Sequence, residues 1–545
     1  MTLPLSAAEV LSEHVVFELD CIDRVYCNAY VPKLAYPAGV AGFFTKHRGA
    51  TFASTCLADP ISKQFVASIQ HFAAERGIPI VRFEKGQRKD DVALEHLARF
   101  GEPEGIYMIG VAQEKISTFR TEKRRNPETG ARYPWIVRAS AVVNQYYCYG
   151  LDLEFGPFFV KFSSYFPYVA KLCFNGHHWA QRQANAAGIA FTALDNGFLE
   201  CEAPERLQRI CDRLSAAKID AFFRRWLARL PHPFTGADRR AGYRYQLSIL
   251  QAEFSLTQVL DRPHSGRVFF ESLIRENLDL GRLDLGRPEK VSLIFDRRVR
   301  VRGKRPTPSR WRTRVLTDGV TPSIHVDYKH SKIKQYHKLN KALRTETTIN
   351  DTRDFAIGKR LGNLPALRQV GFQANRRLLA TQRLGHDPIT AARALAQITD
   401  PVTVGENNTR VAGLRFGDPR AMALLSLLAV FRLSVRGFTN RDLREHLAPL
   451  LGLLPGTITA GQATYDLRRL RVHGLMQRIP RSNRYLPTED GLRAAIVLTQ
   501  THNRILTPAL AAANDPLADF PHLHKAIANV ETTIDRYSQQ QGLTA

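Results

Sequence analysis

The chain is short of acid. Its 545 residues carry 51 Asp and Glu against 77 Lys and Arg, a formal net charge of +26 at pH 7. Such an imbalance makes a folded chain repel itself, and a polyanionic partner is the usual physical reason for it. Cysteine is sparse and confined to the first 211 residues, at Cys21, Cys27, Cys56, Cys148, Cys173, Cys201 and Cys211. The count is odd and no Cys-x-x-Cys pair occurs, which points away from a disulfide framework and from a zinc ribbon. Reduced core thiols in a cytoplasmic protein are the expectation. No apolar run reaches the length of a membrane span, so no membrane partner is expected. Met1-Thr2-Leu3-Pro4 lacks the charged start and long apolar stretch of a signal peptide. A Walker-type phosphate loop, a dinucleotide fingerprint and internal repeats are also missing.

What is present is enough hydrophobic residue, 44%, to fold most of the chain into two to four domains. Up to residue 235 strand-like and helix-like segments alternate. Residues 15–20 and 24–31 read as two adjacent strands, residues 78–83, 105–111, 146–153 and 158–162 as further ones. Residues 61–76 have helical spacing through Phe65, Ile69, Phe72 and Ala73, ended by Gly77. Asp195-Asn196-Gly197 between two short apolar runs signals a hairpin. From 236 to 290 the pattern reads as helical, with Tyr243, Leu247, Leu250, Phe254 and Leu260 on one face. Between Arg297 and Arg314 nine Lys and Arg occur with no acid, broken by Gly303, Pro306 and Pro308. That stretch, including Arg310 and Arg312, reads as an exposed basic loop that opens a region 291–402.

Toward the C-terminus, Pro419–Phe431 reads as an apolar helix, and Thr439 or Asn440 caps a second helix through Leu450. Residues 462–474 form a third, with Ala463, Leu467 and Leu470 at core spacing and Thr464, Tyr465, Arg468 and Arg471 turned outward. A short strand, 475–479, leads to the basic turn Pro480-Arg481-Ser482-Asn483-Arg484, and Thr488 caps a closing helix. Six arginines lie between Arg468 and Arg484 against the single acid Asp466. This order resembles the winged-helix superfamily of DNA-binding modules. The resemblance implies Arg468 and Arg471 reading base edges and Arg481 and Arg484 on phosphates; a winged helix used only for protein contact is the alternative. The expected fold class is therefore mixed α/β (α+β) and multidomain, with a C-terminal winged helix at 415–505. A last helix at 519–540 repeats Leu523, Ile527, Val530, Ile534 and Tyr537 at four-three spacing, suited to packing on the winged helix or to a homodimer.

Two readings compete in the centre. His325, Asp327 and the run Lys332-Ile333-Lys334-Gln335-Tyr336-His337-Lys338 precede a strand holding Arg344 and Glu346. Lys332, Lys334 and Tyr336 share one strand face, where two cations and an aromatic ring suit a nucleic-acid backbone and a base, with Lys338 beside them. Glu346 reads as an ion-pair partner of Arg344. The sharper reading makes His325, Asp327 and Glu346 ligands of Mg2+ or Mn2+ beside Tyr336 or Tyr328, with Tyr336, Glu346 and Asp327 catalytic in a phosphotyrosine-forming attack. The run resembles a strand pair of plasmid and phage rolling-circle replication initiators. It departs from them at His177-His178, which lacks the residue between two metal-binding histidines. Carboxylates at Glu18, Asp20, Glu84, Asp90 and Asp91 read as solvent-exposed acids or as a two-metal site. The aromatics from Tyr146 to Tyr168 read as sheet core. The expected function is nucleic-acid binding, to DNA first and RNA second. The alternative is a metal-dependent nuclease or nicking initiator of a mobile element or defence system.

Overall fold

The computed structural model describes residues 7–276, 281–283, 291–294, 311–318, 321–339, 341–383, 398–404, 409–431 and 437–506. Arg310, most of the expected basic loop and the expected 519–540 helix lie outside them. The chain is a mixed α/β protein that divides into two compact units. One joins Val15–Pro263 with Asp327–Asn375; the other contains the C-terminal module. The first thus draws together stretches that the sequence reading assigns to three separate regions.

Nine strands of that first unit lie in one sheet. We label the first nine strands of the chain β1 (Val15–Tyr30), β2 (Ile80–Arg82), β3 (Gly105–Arg125), β4 (Arg132–Asp152), β5 (Gly156–Ser163), β6 (Ala170–Asn175), β7 (Phe191–Leu194), β8 (Gly197–Cys201) and β9 (Gln246–Leu260). The lysine-rich strand Ser331–Lys338 pairs with Ala342–Ile349, which pairs with β9, followed in order by β1, β6, β5, β4, β3 and β2. Every neighbour pair is antiparallel except β2 with β3.

Two expectations are corrected here. The two N-terminal strands are one, β1, with a register break between Ile22 and Val25. Ile22 faces Phe254 and Val25 faces Ala252, so Asp23 and Arg24 together oppose Glu253. Such a bulge re-aims side chains, here the carboxylate of Asp23. The helical reading also fails over Gln246–Leu260, which is β9. Its apolar residues fit a helical face, but β9 is flanked by β1 and by Ala342–Ile349 and buried from Phe254 to Leu260. A strand buried on both faces shows no clean alternation, so periodicity cannot separate it from a helix.

Other elements stand as read. The helix Asp59–Glu75 buries Phe65, Ile69 and Ala73. The β7–β8 turn places Asn196 at φ 61°, a conformation Asn tolerates better than most residues. Tyr146, Tyr147, Tyr149, Phe155, Phe158, Phe162, Phe166 and Tyr168 are all buried, as a sheet core requires. Asp152 is fully buried as an anchor, accepting from the backbone of Glu154 and Phe155 and from the Trp226 indole at 2.7 Å.

The C-terminal module runs helix Pro419–Phe431, strand Phe438–Thr439, helix Asn440–Leu450, helix Ala460–Val472, then strands Met476–Arg478 and Arg484–Pro487 and helix Glu489–Thr501. Its three strands form one small sheet with Arg484–Pro487 in the middle. Thr439 and Thr459 cap their helices through reciprocal boxes with Asp442 and Gln462, and Thr488 caps the last. Leu424, Leu428, Leu443, Leu447, Ala463, Leu467, Leu470 and Leu475 share one core. Gly437 has φ 69°, and a Cβ there would sit 2.4 Å from the Tyr485 carbonyl oxygen, so only glycine lets the first strand dock. This is the helix and strand order expected of a winged helix.

Candidate nucleic-acid interface

The helix Ala460–Val472 buries Ala463, Asp466, Leu467 and Leu470 and exposes Thr464, Tyr465, Arg468 and Arg471. Its one acid is not on the exposed face. Asp466 is 1% exposed, and Arg420 of the first helix holds it through Nη2 at 2.7 Å. The negative charge is thus neutralised inside the module, which leaves the outer face of the helix cationic.

The six arginines between 468 and 484 divide evenly. Arg469 donates to the carbonyls of Ala412 and Gly413, at 3.2 and 2.5 Å. Arg478 Nε donates to Ser482 O at 2.7 Å, closing the turn, and Arg484 Nη1 donates to Gly437 O at 2.8 Å. These three fasten backbone while keeping their charge. Arg468, Arg471 and Arg481 are exposed and make no ion pair among the described residues. Sequence reading places Arg484 with Arg481 on phosphate; in the structure one Arg484 nitrogen also ties the hairpin to the first strand.

Arg481 sits in the turn between strands Met476–Arg478 and Arg484–Pro487 with φ 57°. Ile479 accepts from the amide of Ser482, so Pro480 and Arg481 occupy the centre of a tight turn whose second position favours glycine. Thr464 is exposed, yet its hydroxyl is committed: it donates to Ala460 O at 2.8 Å and accepts from Asn440 Nδ2 at 3.0 Å. Tyr465 is 52% exposed and lies under the guanidinium of Arg469, 5.7 Å from the ring centre. Asn440 and Arg420 are the contributors that pattern reading misses. Neither lies on the third helix, and only the packed module brings them to it.

In the lysine hairpin Lys334 faces Glu346 and Tyr336 faces Arg344 across the strands. Lys332 is exposed, Lys334, Tyr336 and Lys338 are half-buried, and Ile333 and Gln335 are buried, which is the alternation read from the sequence. Arg344 is fully buried. Its Nε lies 3.0 Å from Glu346 and its Nη2 2.7 Å from Asp23, with Nη1 donating to Asn196 O and Thr257 Oγ1, each at 3.0 Å. Burial opposes ionisation of Asp23, but the Arg344 guanidinium beside it overrides that and holds its carboxyl well below the usual range. His177 Nε2 accepts from Arg344 Nη2 at 2.7 Å.

Glu346 therefore takes the bond from Arg344, and its Oε1 also accepts from Tyr336 OH at 2.9 Å. Burial, followed by the charge of Glu346, pushes the Tyr336 phenol well above its ordinary value, the opposite of what activates a nucleophile. No group of three or more His, Cys, Asp or Glu side chains that could hold a metal ion, the arrangement expected of His325, Asp327 and Glu346 around Mg2+ or Mn2+, is found among the described residues. His325 instead contacts Ser323 Oγ at 3.0 Å. Glu18 accepts from Gln258 at 2.8 Å. Arg312 falls on a strand, Trp311–Asp318, where sequence reading has a loop.

No protein-family model, curated protein or solved structure matches the chain. No helix among the described residues is long and apolar enough to cross a membrane.

Proposed function

We propose that the chain binds DNA through residues 412–506, with helix Ala460–Val472 entering the major groove. The observation that carries the reading is the sorting of charge on that helix. Its one carboxylate is buried against Arg420, while Tyr465, Arg468 and Arg471 on the helix and Arg481 in the following turn are exposed, the three arginines with no ion pair among the described residues. A guanidinium reaches guanine O6 and N7 with two parallel bonds, and a positive wing tip suits the flanking phosphate. A net charge of +26 supports the same reading by raising encounter rates with a polyanion. A cytoplasmic location, in reach of DNA and reducing enough for free thiols, belongs with it.

The test is a binding comparison by fluorescence anisotropy, after selecting a preferred duplex from a random pool. Arg468→Ala with Arg471→Ala is expected to lower affinity for the selected duplex by about tenfold or more, each good bidentate contact discriminating by roughly 1–3 kcal/mol. Affinity for random duplex falls far less. Equal losses on both, or selection of RNA in place of duplex DNA, overturn the reading.

A further inference from the structure

β3 and β4 outrun the sheet. β2 pairs with β3 only from Ile109 to Val111, and β5 pairs with β4 only from Gln145 to Asp152, whereas β3 and β4 stay paired out to Arg125 and Arg132. The rest is a two-stranded ribbon. Its base is anchored: Phe119 and Ile136 are buried, Thr118 Oγ1 donates to Phe166 O at 2.6 Å, and Arg138 reaches Ala35 O at 2.8 Å. Past Thr121 the anchoring stops, and residues 122–135 are exposed almost throughout.

The tip is nonetheless ordered by its own turn. Asn126 Oδ1 accepts from the amide of Glu128 at 2.9 Å, and Asn126 O from that of Gly130, also at 2.9 Å. Two features of this ribbon favour a ligand over bare water. Arg125 directly faces Arg132, a like-charge pair that destabilises the ribbon unless an anion lies across it. Neither has an ion-pair partner among the described residues. On the opposite face Tyr133 and Trp135 are 39% and 46% exposed, with Arg124 5.0 Å from the Trp135 ring centre. Glu122 lies across from Trp135 and pairs with Arg120 at 2.6 Å, so the acid of this face is already neutralised. Large exposed aromatic rings beside Arg124, with the Arg125–Arg132 pair on the other face, match a ligand that alternates phosphate and planar base.

We infer that this ribbon tip is a second nucleic-acid contact, separate from the winged helix, that grips phosphates with Lys123, Arg125 and Arg132 and stacks unpaired bases on Tyr133 and Trp135. Single-stranded nucleic acid is the ligand, because a base inside a duplex offers no free ring face.

The test uses the full chain carrying Arg468→Ala, Arg471→Ala and Arg481→Ala, so that failure of the winged-helix reading leaves it intact. A twenty-nucleotide oligothymidylate is the probe, with duplex DNA and polyglutamate as further arms. Trp311→Phe is added to this background, so that Trp135 is the exposed reporter beside the buried Trp179 and Trp226, and anisotropy of a labelled oligothymidylate reads the affinity of each variant. Binding of oligothymidylate with quenched tryptophan emission is expected. Tyr133→Ala with Trp135→Ala is expected to weaken it roughly tenfold or more, stacking contributing about 1–3 kcal/mol per base. Arg125→Gln with Arg132→Gln is expected to flatten the slope of log affinity against log salt by about 1.4, near 0.7 per lost phosphate contact. These side chains are exposed, so circular dichroism stays unchanged. Unaltered affinity and slope in both variants, or equal binding of oligothymidylate, duplex and polyglutamate, overturns the inference.

Discussion

Arg344 and Asp23, 321 residues apart in the chain, meet at 2.7 Å inside the large sheet, where neither is more than 4% exposed. Arg344→Met leaves the Asp23 carboxylate buried without its guanidinium. Urea denaturation is expected to show a loss of about 3–5 kcal/mol, the cost of breaking a buried pair from one side. Adding Asp23→Asn recovers part of that loss; no recovery in the double variant shows that the charge pairing is not what the pair contributes.

Glu253 opposes the Asp23–Arg24 bulge. Burial, with Asp23 next, pushes its carboxyl up to about 7. Between the ordinary carboxylate value and 7 the folded chain holds a proton that the unfolded chain has released, so stability falls as pH rises through that window. Glu253→Gln is expected to stabilise the protein at pH 8 by up to about 3 kcal/mol, a tenfold change in proton affinity being worth about 1.4 kcal/mol. The gain shrinks toward zero near pH 4.5, and thermal melts across pH 4.5–8 read both ends. A gain independent of pH contradicts the assignment.

Arg481 adopts a left-handed conformation at φ 57° that costs a residue with a Cβ roughly 1 kcal/mol. Arg481→Gly is therefore expected to raise stability by about that amount. Under the proposed DNA-binding reading it also reduces the salt slope by about 0.9, one phosphate contact on duplex. A stabilised variant with an unchanged slope removes the wing tip from the interface.

Arg420→Met is expected to destabilise the C-terminal module by about 2 kcal/mol or more, because Asp466 is then buried without its ion pair. Arg420→Met with Asp466→Leu restores most of the loss. Differential scanning calorimetry separates these outcomes.

How far the sequence speaks for itself depends on the range of the interactions involved. The C-terminal module is readable because its signals are local: capping threonines, helical spacing of Ala463, Leu467 and Leu470, and a Pro-Arg turn. The lysine hairpin is readable for the same reason, since alternation of Ile333 and Gln335 with Lys332 and Lys334 needs only neighbouring residues. β9 is not. Its burial on both faces erases the alternation that identifies a strand, and its partners lie more than eighty residues away on either side. The Asp23–Arg344–His177 network is equally hidden, because a bulge in β1 and a histidine in the first turn of the helix Gly176–Ala186 converge only once the sheet exists. Glu346 is legible as half of an ion pair with Arg344, while the buried second carboxylate of that arginine is not. The division of six arginines into fastening and exposed sets also requires the folded module, because spacing along the chain is silent about carbonyl partners.

The central place of β9 governs how this unit is assembled on the ribosome. One flank of β9 is satisfied by β1, already synthesised, but the other waits for Ala342–Ile349. Until about ninety further residues emerge, a row of backbone amides and carbonyls along β9 stays open to any passing strand. Nascent chains stalled before residue 342 should therefore associate with chaperones or with each other, and release once the lysine hairpin closes that edge.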